Sequence, residues 1–75
     1  MKNQAAENIS NIRRDMLQIT EFIEKVSHAF HVAPEGTTKL FFEDTLGDYF
    51  DEVQSMFDNW YIQVHKVNGS IRVII

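Results

Sequence analysis

The sequence contains no cysteine, a single proline (Pro34) and three glycines among its 75 residues. Without cysteine, neither a disulfide nor a thiolate metal site can stabilise the chain. A domain of this size buries only roughly 60% of its unfolded surface. Such domains commonly gain stability from disulfides, metals or oligomerisation. The composition therefore favours oligomerisation.

Long apolar runs and a basic surface are also missing. The longest apolar runs have three residues, far fewer than the roughly 20 that a membrane-spanning helix needs. The polar segment after Met1 does not resemble a signal peptide, so we expect a cytoplasmic protein. Lysine and arginine number 7 against 11 acidic residues, which gives a net charge of −4. We expect no membrane association, because the apolar runs are short. We also expect no direct nucleic-acid binding, because no basic stripe is available to neutralise phosphates.

An unbroken stripe of apolar residues, spaced alternately by four and three positions, runs through the first third of the chain. It consists of Ala5, Ile9, Ile12, Met16, Ile19, Ile23, Val26 and Phe30. This is the a/d pattern of a helix that packs lengthwise on another helix. We predict a helix from Ala5 to His31, because Pro34 disfavours helical backbone in the residue before it. Asn3 or Asn8 is the expected N-cap.

The predicted helix is too long for a compact domain of this chain length. At 1.5 Å per residue it extends for about 40 Å. A compact domain of this size has a radius of gyration of about 11 Å and is about 30 Å across. A helix longer than its domain frays, protrudes or is covered by a second copy, and an apolar stripe left in water promotes aggregation. We therefore predict a homo-oligomer, expected to be a dimer, whose self-association surface is Ala5, Ile9, Ile12, Met16 and Ile19. Parallel and antiparallel pairing both stay open.

The middle of the chain predicts a second helix after an ambiguous segment. Residues 38–42 fit a short strand or the start of that helix, and their β-branched and aromatic content favours the strand. The helix is expected from Thr45 to Phe57, with Asp44 or Thr45 as its cap. Gly47, in the first turn, is expected to cost about 1 kcal/mol relative to alanine. The apolar face of this helix contains Leu46, Tyr49, Phe50, Val53, Met56 and Phe57.

The last third of the chain predicts a β-hairpin. Asn68-Gly69 is the favoured sequence of a two-residue type I′ turn. This turn pairs Val67 with Ser70, Lys66 with Ile71, Val64 with Val73 and Ile62 with Ile75. Period-two alternation then places on one buried face the residues Trp60, Ile62, Val64, Ile71, Val73 and Ile75.

These elements define the expected fold. It is a single small α+β domain over residues 1–75. The order is a long N-terminal amphipathic helix, a possible short strand, a second helix and a C-terminal antiparallel hairpin.

Catalytic and metal-binding motifs are weak in this sequence. Glu24, His28 and His31 have a ligand-like spacing on one helix face. Histidines near a helix C-terminus are, however, also favoured by the helix dipole. The acidic residues lack the alternation around glycine of a calcium loop, and no glycine-rich phosphate loop is present. We predict a non-catalytic protein without a metal or cofactor.

The acidic residues are concentrated in the middle of the chain. Residues 35–58 contain seven acidic side chains and one basic side chain, Lys39. On the second helix or next to its ends, opposite the apolar face, are Asp44, Asp48, Asp51, Glu52 and Asp58. Such a face either keeps a small oligomer soluble or binds a basic partner.

Two functions fit this pattern. The first is a protein-binding module, an inhibitor or regulator that binds a basic, nucleic-acid-handling protein through a face resembling the charge of DNA. The alternative is a purely structural homo-oligomerisation element built on the first helix.

Overall fold

The computed structural model describes residues 4–75, which form an α+β fold, as the sequence predicts. Its elements are α1 (Gln4–Val32), β1 (Lys39–Glu43), a 3-10 turn (Gly47–Tyr49), α2 (Phe50–Asp58), β2 (Gln63–Val67) and β3 (Ser70–Ile74). Asn3, one of the two expected caps of α1, lies outside the described residues. Asn8, the other, lies inside α1.

The sheet has three antiparallel strands in the order β1-β3-β2. Asn68 and Gly69 both have positive φ values, 50° and 81°, as a type I′ turn requires. The predicted hairpin register is confirmed for Val67 with Ser70, Lys66 with Ile71 and Val64 with Val73. The strand favoured at residues 38–42 is also present, shifted by one position, and β1 pairs with the central strand β3.

The core lies between one face of the sheet and the two helices. Its buried residues are Ile19, Phe22, Val26, Phe42, Leu46, Phe50, Val53, Val64, Ile71 and Val73. The Phe22 ring centroid lies 6.0 Å from that of Phe42 and 6.2 Å from that of Phe57. Phe22 therefore joins α1 both to the sheet and to α2, at separations typical of stabilising aromatic pairs.

The segment between α2 and β2 differs from the prediction. Tyr61 N donates to Asp58 O and Ile62 N donates to Phe57 O, both at 3.0 Å. These two bonds are those of a Schellman motif, in which the chain reverses through a left-handed residue, here Tyr61 at φ 63°. The prediction that Trp60 lies on the buried sheet face is wrong, because the motif keeps residues 59–62 out of the strand. The predicted pairing of Ile62 with Ile75 likewise falls outside the strands.

The start of the second helix also differs from the prediction. The α-helical part begins at Phe50, five residues after the expected Thr45, and a 3-10 turn precedes it. Gly47 has a φ of 54°, in the left-handed region that disfavours side chains with a Cβ atom. The expected propensity cost of Gly47 therefore does not apply, since the backbone requires glycine there. Asp44 Oδ1 accepts a hydrogen bond from Leu46 N at 3.2 Å, so Asp44 supports this turn.

Helix α1 extends well beyond the sheet. Its 29 residues span about 43 Å, and the structure measures 56 × 23 × 22 Å with a radius of gyration of 14.8 Å. Ile19 is the first stripe residue of α1 to be buried, whereas Ile9 and Ile12 are more than half exposed. The N-terminal half of α1 therefore protrudes from the domain.

None of the helices described within residues 4–75 is both long enough and apolar enough to cross a membrane.

Replacing Tyr61 with glycine should stabilise the protein. A side chain in the left-handed region costs roughly 1–2 kcal/mol, and the Tyr61 side chain is 92% exposed, so its loss removes little packing. We expect Tyr61→Gly to raise the free energy of unfolding by about 1 kcal/mol, measured by urea denaturation. Tyr61→Ala, which keeps the Cβ atom, is the matched control. Equal stability of the two variants would contradict the strain at this position.

The hydrogen bond that Tyr49 Oη donates to Asp15 should make stability depend on alkaline pH. This bond raises the pKa of Tyr49 above its ordinary value of 10.0, and desolvation and the charge of Asp15 act in the same direction. The hydrogen bond therefore contributes fully to the free energy of unfolding below pH 10.0. This contribution is lost as the pH rises through the folded-state pKa of Tyr49.

We expect wild type to be more stable than Tyr49→Phe near neutral pH. This advantage should shrink above about pH 10, as measured by urea unfolding at a series of pH values. If the difference in the free energy of unfolding between the two proteins stays constant over the whole pH series, the hydrogen bond between Tyr49 and Asp15 does not cause it.

Candidate interaction site

An apolar groove lies between the C-terminal parts of the two helices. Its volume is about 580 Å³. The wall formed by α1 contains Ile23, Val26, Ser27 and Phe30, and the opposite side contains Met56, Phe57, Asn59, Trp60, Ile62 and Ile75. No charged side chain lines the groove. An open apolar groove of this kind suits an apolar occupant.

Two consecutive aromatic residues project beside this groove. Trp60 is 79% exposed and Tyr61 is 92% exposed. The Schellman motif fixes the position of both residues, and Tyr61 occupies the left-handed region at φ 63°. Strained backbone accumulates at functional sites, and exposed tryptophan and tyrosine are typical of interface centres. We define Trp60 and Tyr61 as the aromatic tip.

The structure separates the predicted self-association residues into two groups. Ala5, Ile9, Ile12 and Met16 are exposed along the protruding half of α1. Ile19 instead belongs to the core of its own domain. The exposed stripe is therefore Ala5, Ile9, Ile12 and Met16. In the part of the chain that the structure describes, no other element covers Ile9, Ile12 or Met16.

The predicted acidic face is shorter in the structure than in the sequence. Asp48, Asp51 and Glu52 are exposed in consecutive turns at the start of the second helix. Asp58 is exposed at the far end of α2. Asp44 is partly buried, and its carboxylate lies 3.8 Å from Lys66 Nζ.

The charge on α2 also has a structural explanation. Asp51 and Glu52 lie in the first turn of α2, where carboxylates stabilise the helix dipole by typically 0.3–1 kcal/mol each. We define Asp48, Asp51 and Glu52 as the acidic patch.

A second hollow, of about 460 Å³, lies between α2 and β2 and contains Ser55, Asp58 and His65 among its lining residues. Among residues 4–75, no hydrogen bond joins these three side chains to one another. Within the same described range, no group of three or more histidine, aspartate or glutamate side chains is placed to hold a metal ion.

The outer face of the sheet has a mixed character. The register aligns Phe41, Arg72 and His65 in one row across the three strands. Phe41 is exposed, with Lys39 Nζ 6.0 Å from its ring centroid. The Arg72 Nε atom is buried and has no hydrogen-bond partner in the described part of the chain. Antiparallel sheets commonly pack one face on the core and leave the other in water, so this row lies on the solvated face.

Sequence reasoning found the exposed stripe but missed the groove and the aromatic tip. Period-two alternation extended the hairpin back to Trp60 and so placed that residue in the core. The available signal was the turn propensity of Asn59 at the end of α2. A helix C-cap at this position moves the following aromatic residues out of the sheet register.

Comparison with known proteins gives no assignment. The chain matches no protein-family model, no curated protein and no solved structure.

Proposed function

We propose that this protein is a non-catalytic protein-interaction module whose primary partner is a second copy of itself. The observation that carries the proposal is the exposure of the apolar stripe. Ile9, Ile12 and Met16 are each more than half exposed on a helix that continues beyond its own domain. Apolar surface of this kind marks association sites in soluble proteins.

The magnitudes support association through the stripe. Full burial of a large aliphatic side chain contributes roughly 1.5–3 kcal/mol. Because Ile9, Ile12 and Met16 are 53%, 59% and 54% exposed, two copies of them together supply about 5–10 kcal/mol. Association costs an estimated 4–15 kcal/mol in lost rotational and translational freedom. The stripe thus supplies energy of the right order for a dimer.

Replacing a stripe residue with aspartate should dissociate the protein. Met16 and the adjacent Leu17 are almost equally exposed, at 54% and 56%, but only Met16 belongs to the stripe. We expect Met16→Asp to raise the dissociation constant at least about tenfold, a loss of roughly 1.4 kcal/mol. Sedimentation equilibrium measures this change, with Leu17→Asp as the matched control.

The same measurement can reject the proposal. Ile9→Asp and Ile12→Asp should behave like Met16→Asp. A wild-type protein that sediments as a monomer at micromolar concentration would contradict self-association. Equal effects of the Met16 and Leu17 variants would contradict the stripe as its surface.

A second candidate function is the binding of a basic protein through the acidic patch. The observation that favours it is the exposure of Asp48, Asp51 and Glu52 without an ion pair in the described part of the chain. Opposite these residues, Leu46, Phe50 and Val53 are buried, so the patch is free of any core role. In this interpretation the protein is an inhibitor or regulator of a nucleic-acid-handling protein.

Charge reversal of the acidic patch tests this candidate. The triple replacement of Asp48, Asp51 and Glu52 by lysine should abolish salt-sensitive capture of a basic partner. Exposed charges are screened beyond about 8 Å at physiological ionic strength, so wild-type capture should weaken as salt is added.

The matched control replaces Glu21, Glu24 and Glu35 by lysine. These exposed acids lie elsewhere, and their replacement changes the net charge by the same amount. Circular dichroism checks that both variants fold. Capture that both triple variants retain equally would eliminate the acidic patch as a binding site.

A further inference from the structure

We infer that the apolar groove is filled by the exposed stripe of a second copy in an antiparallel dimer. This inference rests on the proposed self-association and specifies its geometry. The partner helix would run along the C-terminal half of α1, with its Ile9 and Ile12 side chains between α1 and α2. Each copy would thereby cover apolar surface that is exposed in the other copy alone.

The two surfaces have matching spacing when they run in opposite directions. Both then use steps of three and four residues, as Ile12, Ile9 and Ala5 in the exposed stripe and as Ile23, Val26 and Phe30 in the groove wall. Each set spans about 10 Å along the helix axis. The two sets belong to one unbroken a/d stripe, so a partner helix that follows the stripe continues into the groove.

Two-fold symmetry also favours antiparallel pairing. An alternating stripe reads the same in both directions, so an antiparallel pair places the exposed stripe of each copy opposite the groove wall of the other. With the axis between Met16 and Ile19, Ile12 faces the partner's Ile23 and Ile9 faces the partner's Val26. Because the contact is isologous, both grooves are filled at once and no further copy is recruited.

Charge is also compatible with this contact. The groove lining and the exposed stripe contain no charged side chain, so the contact desolvates no ionised side chain. Residues 35–75 contain seven acidic and three basic residues, a net charge of −4 for each domain. Antiparallel pairing places the two acidic domains at opposite ends of the dimer. Parallel pairing would place them side by side, where like charges repel.

Other pairings leave apolar surface in water. A dimer joined only through the protruding halves of α1 would cover Ile9 and Ile12 but not the groove. Trp60, Met56 and Ile75 would then stay exposed, as they are in the single chain. The antiparallel overlap covers both surfaces with one contact.

Trp60 is the only tryptophan of the chain and reports directly on the groove. We expect its fluorescence to shift to shorter wavelength, and its quenching by acrylamide to fall, over the concentration range in which sedimentation shows the dimer forming. A dimer whose Trp60 fluorescence is independent of concentration would overturn the groove contact and leave the proposed function standing. A monomer at every concentration would overturn both.

A groove variant provides the second measurement. Met56 lines the groove on α2, whereas the adjacent Ser55 does not. We expect Met56→Asp to raise the dissociation constant at least about tenfold, and Ser55→Asp to leave it within about twofold of wild type. Equal dissociation constants for the two variants, with folding verified by circular dichroism, would overturn the inference.

Engineered cysteines determine the direction of pairing, because the native chain has none. Positions 12 and 23 of one helix are about 16 Å apart, beyond the roughly 7 Å limit for a disulfide. The double variant Ile12→Cys, Ile23→Cys should therefore form only intermolecular disulfides, and the two single variants should form almost none. A disulfide-linked dimer of the Ile12→Cys single variant, formed as readily as that of the double variant, would demonstrate parallel pairing and overturn the inference.

Discussion

The difference in length between α1 and the sheet is the constraint on which the rest of this structure depends. Each strand contains five residues and extends for about 17 Å, whereas the 29 residues of α1 extend for about 43 Å. A sheet of this size covers only part of such a helix. Phe22 determines which part, because it contacts both Phe42 and Phe57 from the second half of α1. The elongated shape and the exposed stripe are consequences of this mismatch.

The groove arises from a second length limit, that of α2. This helix has nine residues and ends at Asp58, where the Schellman motif reverses the chain. Ile23 and Phe30 are therefore only partly covered by their own domain. The same motif holds Trp60 outside the sheet and at the edge of the uncovered surface. The short α2 therefore leaves the groove open, and the Schellman motif at its end holds Trp60 beside the groove.

The sequence predicts those parts of the fold that depend on local periodicity and turn chemistry. The stripe of α1 and the Asn68-Gly69 turn are local signals, and both elements form where they were expected. Trp60 was misplaced because alternation alone cannot reveal that backbone bonds to Phe57 and Asp58 remove it from the strand. The groove was not predictable, since it depends on where two helices end relative to each other. For the site, the sequence gives the exposed stripe but not the surface that we propose receives it.

The protruding half of α1 has a consequence for the energetics of assembly. An isolated helix of fewer than about 12–15 residues is only marginally stable in water. Asp15 bonds to Tyr49 outside α1, whereas the side-chain bonds of Gln4 with Asn8 and of Arg14 with Asn11 lie within α1 itself. In the dimer that we propose, ordering the protruding half of α1 and binding it to the second copy are linked equilibria, because the partner contact stabilises the helix that makes it. Affinity in such a system includes the free energy of helix formation. If the proposed dimer forms, changes in helix propensity on the solvent side of this segment will alter its affinity without changing any residue of the interface.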